Sequence, residues 1–151
     1  MVQTFSDNKY IYSVDMMFAF LYFNKIKPIK QIINDSILVN LDYDCWGDPV
    51  KNEKYSPNQV ILNPKMYSNE YKKIIDSDLQ YPIIINEQGN IIDGMHRLMK
   101  SVLFNKKYIR AYVFDNKLMK KFIIAKNNEW NKVDNLKTYQ FIILYAQQFL
   151  K

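Results

Sequence analysis

The sequence predicts a mixed α/β fold with one small sheet, and three neighbouring segments carry that reading. Tyr81 to Asn86 (YPIIIN) is a continuous apolar run rich in β-branched residues, Glu87 to Asn90 (EQGN) is a turn, and Ile91-Ile92 opens a second strand, so the stretch spells a tight hairpin. Directly behind it, Leu98, Met99, Val102 and Leu103 keep helical spacing within Met95 to Phe104. Tyr108 to Phe114 (YIRAYVF) then alternates as a half-buried strand does.

The flanking elements follow from punctuation and spacing. Ser13 is placed to cap a helix on which Met16, Met17, Phe20 and Phe23 recur at helical spacing, with Asp15 near its positive end. Pro28 ends that helix, Pro28 to Ile33 reads as a short extended segment, and Asn34, Asp35 or Ser36 starts a brief helical turn. Leu41 to Pro57 is rich in turn formers and reads as an irregular loop carrying Asp42, Asp44 and Asp48. Lys65 to Asp76 is expected to be a helix with Tyr67, Tyr71, Ile74 and Ile75 on its apolar face. Asp115 is expected to cap a helix through Ile124, and Asp134 a last helix through Leu150. No Pro/Gly/Ser linker interrupts the 151 residues, so one domain is expected, its core at about 55–125 and helical additions at 13–23 and 134–150.

Composition narrows the classes of function. With 48% hydrophobic residues the chain can bury a core of its own. The one cysteine, Cys45, excludes an internal disulfide and any multi-cysteine zinc site, which makes a reducing cytoplasm the expected location. The apolar stretch Met16 to Phe23 is too short to cross a bilayer and lacks the flanks of a secretion signal, so no membrane partner is expected. Most of the formal net charge of +6 sits in the second half of the chain, but the pairs Lys72-Lys73, Lys106-Lys107 and Lys120-Lys121 are scattered along the sequence. DNA is therefore a possible partner but not the favoured one.

The segment Asn90 to Lys100, NIIDGMHRLMK, brings the only histidine of the chain beside one of its two arginines. Two of the three glycines, Gly89 and Gly94, flank its short strand. A helix opening at Gly94 aims the free N–H groups of its first turn beyond the strand, where they and the helix dipole favour a phosphate. Arg97 is suited to clamp phosphate oxygens in a fork, His96 to donate to a phosphate or shuttle a proton, and Lys100 to add charge one turn later. Plainer roles stand beside these: Asp93 as an N-cap, Gly94 as a tight turn, His96 as a satisfied surface or core residue, Arg97 as half of an ordinary ion pair, Lys100 as a solvated side chain.

The stretch from about Val60 to Phe114, above all YPIIINEQGNIIDGMHRLMKSVLFNKKYIRAYVF, resembles the core of the ParB/sulfiredoxin superfamily, in which strand, turn, strand and a helix opened by a G-x-H-R type motif precede another strand. The resemblance implies a small mixed sheet with flanking helices, and a nucleotide (ATP, ADP or CTP) whose phosphates lie at Gly94, Met95, His96 and Arg97. Sulfiredoxins carry a catalytic cysteine where this chain has Met95, so sulfinic acid repair is not expected. Only 37 residues follow Phe114, too few for the DNA-binding and dimerisation regions of partition proteins. The free-serine kinase branch carries a D-G-x-H-R motif closely like this one, which implies phosphoryl transfer from a nucleotide to a small hydroxyl-bearing substrate.

Such chemistry calls for an oriented base and commonly for Mg²⁺ held by one or two carboxylates and the phosphates. The acidic loop offers Asp42 and Asp44 as metal ligands and Asp44 or Asp48, with His96, as catalytic groups. Ordinary solvated loop acids are the competing reading, and Asp76 and Asp78 are equally placed alternatives. Trp46 and Tyr55 are expected to line a pocket or close the loop, and Cys45 to be a small inert residue. Two functions remain: a nucleotide-dependent phosphotransferase or hydrolase, and a non-catalytic nucleotide- or DNA-binding module.

Overall fold

The computed structural model describes residues 3–150, a mixed α/β chain without a closed barrel. Its backbone contacts gather into two compact units, Pro28–Val113 and a unit made of the chain up to Lys27 together with the part from Phe114 onward.

The latter unit begins with β1 (Thr4–Ser6) and β2 (Tyr10–Ser13), paired antiparallel. Asp7 closes the turn between them: its carboxylate accepts from the N–H groups of Lys9 and Tyr10 and from the Tyr12 hydroxyl at 2.6–2.8 Å. This hairpin goes beyond the sequence reading, which began at Ser13; strands of three and four residues are too short to establish a period. Ser13 ends β2 and, as expected, caps α1 (Val14–Phe23), its hydroxyl accepting from Met16 N–H at 3.1 Å.

In the Pro28–Val113 unit β3 (Ile29–Ile32) follows Pro28, and α2 (Asp35–Leu38) is capped by Asn34. The acidic segment is more ordered than a free loop. It contains 3-10 turns at Val39–Asp42 and Pro49–Lys51, and Trp46 and Tyr55 exchange backbone hydrogen bonds at 3.0 and 3.2 Å, closing it into a small excursion. Next comes α3 (Pro57–Leu62), a helix the sequence reading left inside and behind the loop. Its signal was present: Ser56 and Gln59 form a reciprocal capping box, with Pro57 in the first turn. Helix α4 (Ser68–Asp76) starts three residues later than expected, after a turn that follows Pro64. The hairpin is as predicted, with β4 (Ile83–Asn86) antiparallel to β5 (Ile91–Asp93), and α5 (Met95–Leu103) and β6 (Tyr108–Phe114) fall where their periodicities put them. The sheet order is β3-β6-β4-β5, with β3 antiparallel to β6.

One face of this sheet supplies Ile83, Ile85, Ile91, Ile109 and Ala111 to a buried core shared with Ile37, Leu41, Val60, Ile74, Leu98 and Met99 from the helices. A polar residue, Asn40, is buried in the same region, 3% exposed. Its side-chain amide donates to the carbonyls of Ile37 at 2.8 Å and Gly89 at 2.9 Å, and its oxygen accepts from Ile91 N–H at 3.1 Å. Asn40 thus stitches the end of α2 to the hairpin turn, giving partners to two backbone groups that burial would otherwise leave unpaired.

Beyond β6 the chain returns to the unit that holds β1, β2 and α1 and departs from the expected long helix. Asp115 does cap a helix, but α6 (Asn116–Met119) is short, a 3-10 turn covers Lys120–Phe122, and Ile123–Lys126 forms β7, antiparallel to β2. The β-branched Ile123-Ile124 pair follows its strand preference once an open edge is available. The expected last helix is two: α7 (Trp130–Asp134) and α8 (Thr138–Phe149). Asp134 ends the first rather than capping the second, whose start is marked by Lys137 N–H donating to Gln140 Oε1 at 2.7 Å. Phe20, Phe114, Phe122 and Phe149 pack ring against ring at centroid separations of 5.1–6.2 Å.

Asn40→Ala leaves the Gly89 carbonyl and the Ile91 N–H buried without partners, and we expect a loss of about 2–4 kcal/mol of unfolding free energy. Urea denaturation followed by circular dichroism measures it; a loss under about 0.5 kcal/mol would mean that water replaces the amide at no cost.

Candidate functional site

Strand β5 ends at Asp93, and Gly94 turns the chain into α5 with φ 104° and ψ 29°. A side chain here would be strained by the backbone and would also collide: an added Cβ would lie 2.5 Å from Ile83 Cγ2 and 2.9 Å from Arg97 Nη2. The close approach that the sequence suggests for Gly94 is therefore made to the core and to Arg97. Where α1, α2, α3 and α6 receive a capping side chain at their first turn, α5 receives none. The first-turn N–H groups of Met95, His96 and Arg97 have no acceptor within the helix and sit at its positive end.

The side chains of the motif are held individually. Asp93 is not the cap; its Oδ2 pairs with Arg97 Nη2 at 2.9 Å, both side chains being 22% exposed. Arg97 Nε is buried and makes no hydrogen bond, and the guanidinium has N–H groups beyond the one given to Asp93. His96 Nε2 lies 2.6 Å from Glu70 Oε2 in the first turn of α4, and its ring stacks on Trp46 with centroids 4.4 Å apart and planes 18° from parallel. Lys100 donates to the Ser77 carbonyl at 2.6 Å, just beyond the C-terminus of α4, and so fastens α5 to α4 instead of facing the first turn.

Between the end of α4 and the start of α5 lies a cleft of about 510 Å³. Lys72, Lys73, Asp76 and Ser77 form one wall, and the run from Asp93 to Arg97 forms the other. Lys73 also reaches Glu70 at 3.6 Å. Three permanent cations, Lys72, Lys73 and Arg97, thus surround a helix start, against the two carboxylates of Asp76 and Asp93, one of which Arg97 already neutralises.

The acidic loop meets the motif through Trp46, while its carboxylates are engaged elsewhere. Asp42 accepts from Asn58 Nδ2 at 2.6 Å, and Asp48 caps the 3-10 turn at Val50 N–H, 2.9 Å away. Asp44 is exposed, and none of the three lines the cleft. Among the described residues no group of three or more His, Cys, Asp or Glu is arranged to hold a metal ion. Cys45 is exposed as a residue, yet partial desolvation of its thiol pushes it up to about 11, and the carboxylates of Glu70 and Asp44 add to the shift; burial first and then Glu70 and Glu53 raise the Tyr55 hydroxyl as well.

Sequence reasoning missed Glu70 and the Lys72-Lys73 wall. Glu70 did leave a signal: it stands three residues after Tyr67 and four before Ile74, an acid inside the apolar stripe of its own helix. The lysines gave none, because only the packing of α4 against α5 turns them toward the motif. Comparison of the chain with protein-family models, with curated proteins and with solved structures finds no match.

Gly94→Ala imposes a left-handed backbone and a clash with Ile83 together, for an expected loss of about 2–4 kcal/mol in chemical denaturation; stability equal to the parent would mean that the β5–α5 turn relaxes freely. With its thiol near 11, Cys45 is protonated at neutral pH, so alkylation by iodoacetamide is expected to be slow at pH 7 and to rise about tenfold per pH unit up to pH 10. A rate already level by pH 8.5 would contradict the raised thiol.

Proposed function

We propose that the protein binds a nucleotide by its phosphates at the start of α5 and acts as a nucleotide-dependent phosphotransferase or nucleotide hydrolase. The observation that carries this is the uncapped first turn of α5 opening onto a cleft rimmed by Lys72, Lys73 and Arg97. Backbone donors at a helix start suit phosphate oxygens, the arginine adds an oriented fork, and the lysines add mobile charge. The likeness of the hairpin and D-G-M-H-R segment to the ParB/sulfiredoxin superfamily points the same way.

In the proposed reaction the acceptor hydroxyl, or water, attacks the terminal phosphorus in line, its proton passes to a base, and the shortened nucleotide leaves. His96 is the base this reading assigns. Glu70 fixes its ring by the 2.6 Å contact and Trp46 limits its tilt, which leaves one ring nitrogen for proton transfer. Asp76, an exposed carboxylate on the cleft wall, takes the role first considered for Asp42, Asp44 and Asp48. If Mg²⁺ accompanies the nucleotide, Asp76 is the residue that would touch it, and the ion would neutralise developing charge on the phosphates.

Calorimetric titration with nucleoside di- and triphosphates tests the binding. Arg97→Ala is expected to weaken affinity roughly 10- to 100-fold, the worth of about 1.5–3 kcal/mol for a charge-assisted contact, with Arg97→Lys intermediate. Unchanged affinity in folded Arg97→Ala contradicts the site. Nucleotide turnover assayed with a pool of small hydroxyl compounds then separates enzyme from binding module: binding without turnover under any acceptor favours the non-catalytic reading, whereas turnover lost in Glu70→Gln with binding retained supports His96 as the base.

A further inference from the structure

The face formed by β3 and β6 carries a second group of cations, separate from the α4–α5 cleft. Segments 28–33 and 106–113 contain Lys30, Lys106, Lys107 and Arg110 and no acidic residue. Strand pairing gathers what the sequence keeps about eighty residues apart, for Lys30 stands opposite Arg110 and Ile32 opposite Tyr108. Alternation along the strands puts these four on one face, while Ile109 and Ala111 point to the core on the other. All four are exposed, Ile32 at 56% and Tyr108 at 44%.

Three details give this face a direction. Lys30 and Arg110 are like charges directly across a strand pair, an arrangement that costs stability on its own and that an anion reverses. The Arg110 guanidinium donates to the Gln80 carbonyl at 2.7 Å, which fixes its place on the surface. The Lys30 ammonium rests 4.3 Å from the centre of the Tyr108 ring, so an exposed aromatic face is shielded by a cation that a stronger stacking partner can displace.

We propose that the β3–β6 face binds single-stranded nucleic acid, with a base stacked on Tyr108 against Ile32 and the phosphates held by Lys30 and Arg110. Displacement of Lys30 from the ring by a base frees its charge for the neighbouring phosphate, so stacking and charge pairing reinforce one another. Neighbouring aromatic and basic side chains on a strand pair suit unpaired bases, which offer both a stacking face and a backbone phosphate. The interleaving of aromatic and basic residues fits a polynucleotide better than an acidic peptide, which would use the charges and leave Tyr108 unengaged.

Fluorescence anisotropy with labelled oligo(dT) and oligo(rU), a duplex of equal length and a polyglutamate peptide tests this on the full chain. The expected result is binding of the single strands at low salt, weakened as salt rises, at least tenfold tighter than duplex or peptide, and reduced at least tenfold in both Lys30→Glu and Tyr108→Ala. Both substitutions fall on exposed side chains, and circular dichroism checks the fold. Three outcomes would overturn the proposal: no binding of either single strand at low salt, duplex or peptide bound as tightly with Tyr108→Ala without effect, or binding abolished by Arg97→Ala and kept by both face variants, which would assign it to the cleft.

Discussion

The turn from β5 into α5 passes through Gly94 in a left-handed conformation, with Ile83 and the Arg97 guanidinium pressed against the place where a side chain would stand. Everything proposed for the cleft depends on that turn. It stops the strand at Asp93, aims α5 so that its first-turn N–H groups leave the core, and brings Arg97 back over the strand end to meet Asp93. With a helix-capping side chain in the glycine's place, one of those donors would be satisfied within the chain, as Met16 N–H is at α1 and Leu118 N–H at α6.

Around that turn the charged groups are positioned by contacts that leave capacity unused. Arg97 gives one nitrogen to Asp93 and keeps others, which holds its plane without exhausting it. Lys100 donates to the Ser77 carbonyl just past the negative end of α4 and so ties α5 to α4 beside the cleft. His96 is gripped at one ring nitrogen by Glu70 and across its face by Trp46. Ordering these side chains before a ligand arrives lowers the entropy that binding must overcome.

Much of this was legible in the sequence where the signal was local. The Ser13 and Asp115 caps, the YPIIIN hairpin, the 3.6-residue spacing in Met95 to Phe104 and the alternation in Tyr108 to Phe114 all fold as they read. Local reading failed where a partner outside the window decided the outcome. Ile123 to Lys126 becomes a strand because β2 presents an edge, and the brief β1–β2 hairpin is held by one aspartate, not by a pattern. For the site, D-G-M-H-R marked the centre, but its surroundings lie at residues 46, 70, 72 and 73, which only the packing of three elements brings to it. The same holds for Lys30 and Arg110, scattered on paper and opposite each other in the sheet.

The central claim is that phosphate binds at the first turn of α5. Amide chemical shifts in a ¹H–¹⁵N spectrum, recorded during titration with a nucleoside diphosphate and separately with the unphosphorylated nucleoside, test it most directly. The account predicts that the largest shifts fall on the N–H groups of Met95, His96 and Arg97 and occur only with the phosphorylated ligand. Equal shifts with the bare nucleoside, or shifts that leave these three amides unmoved, would contradict it.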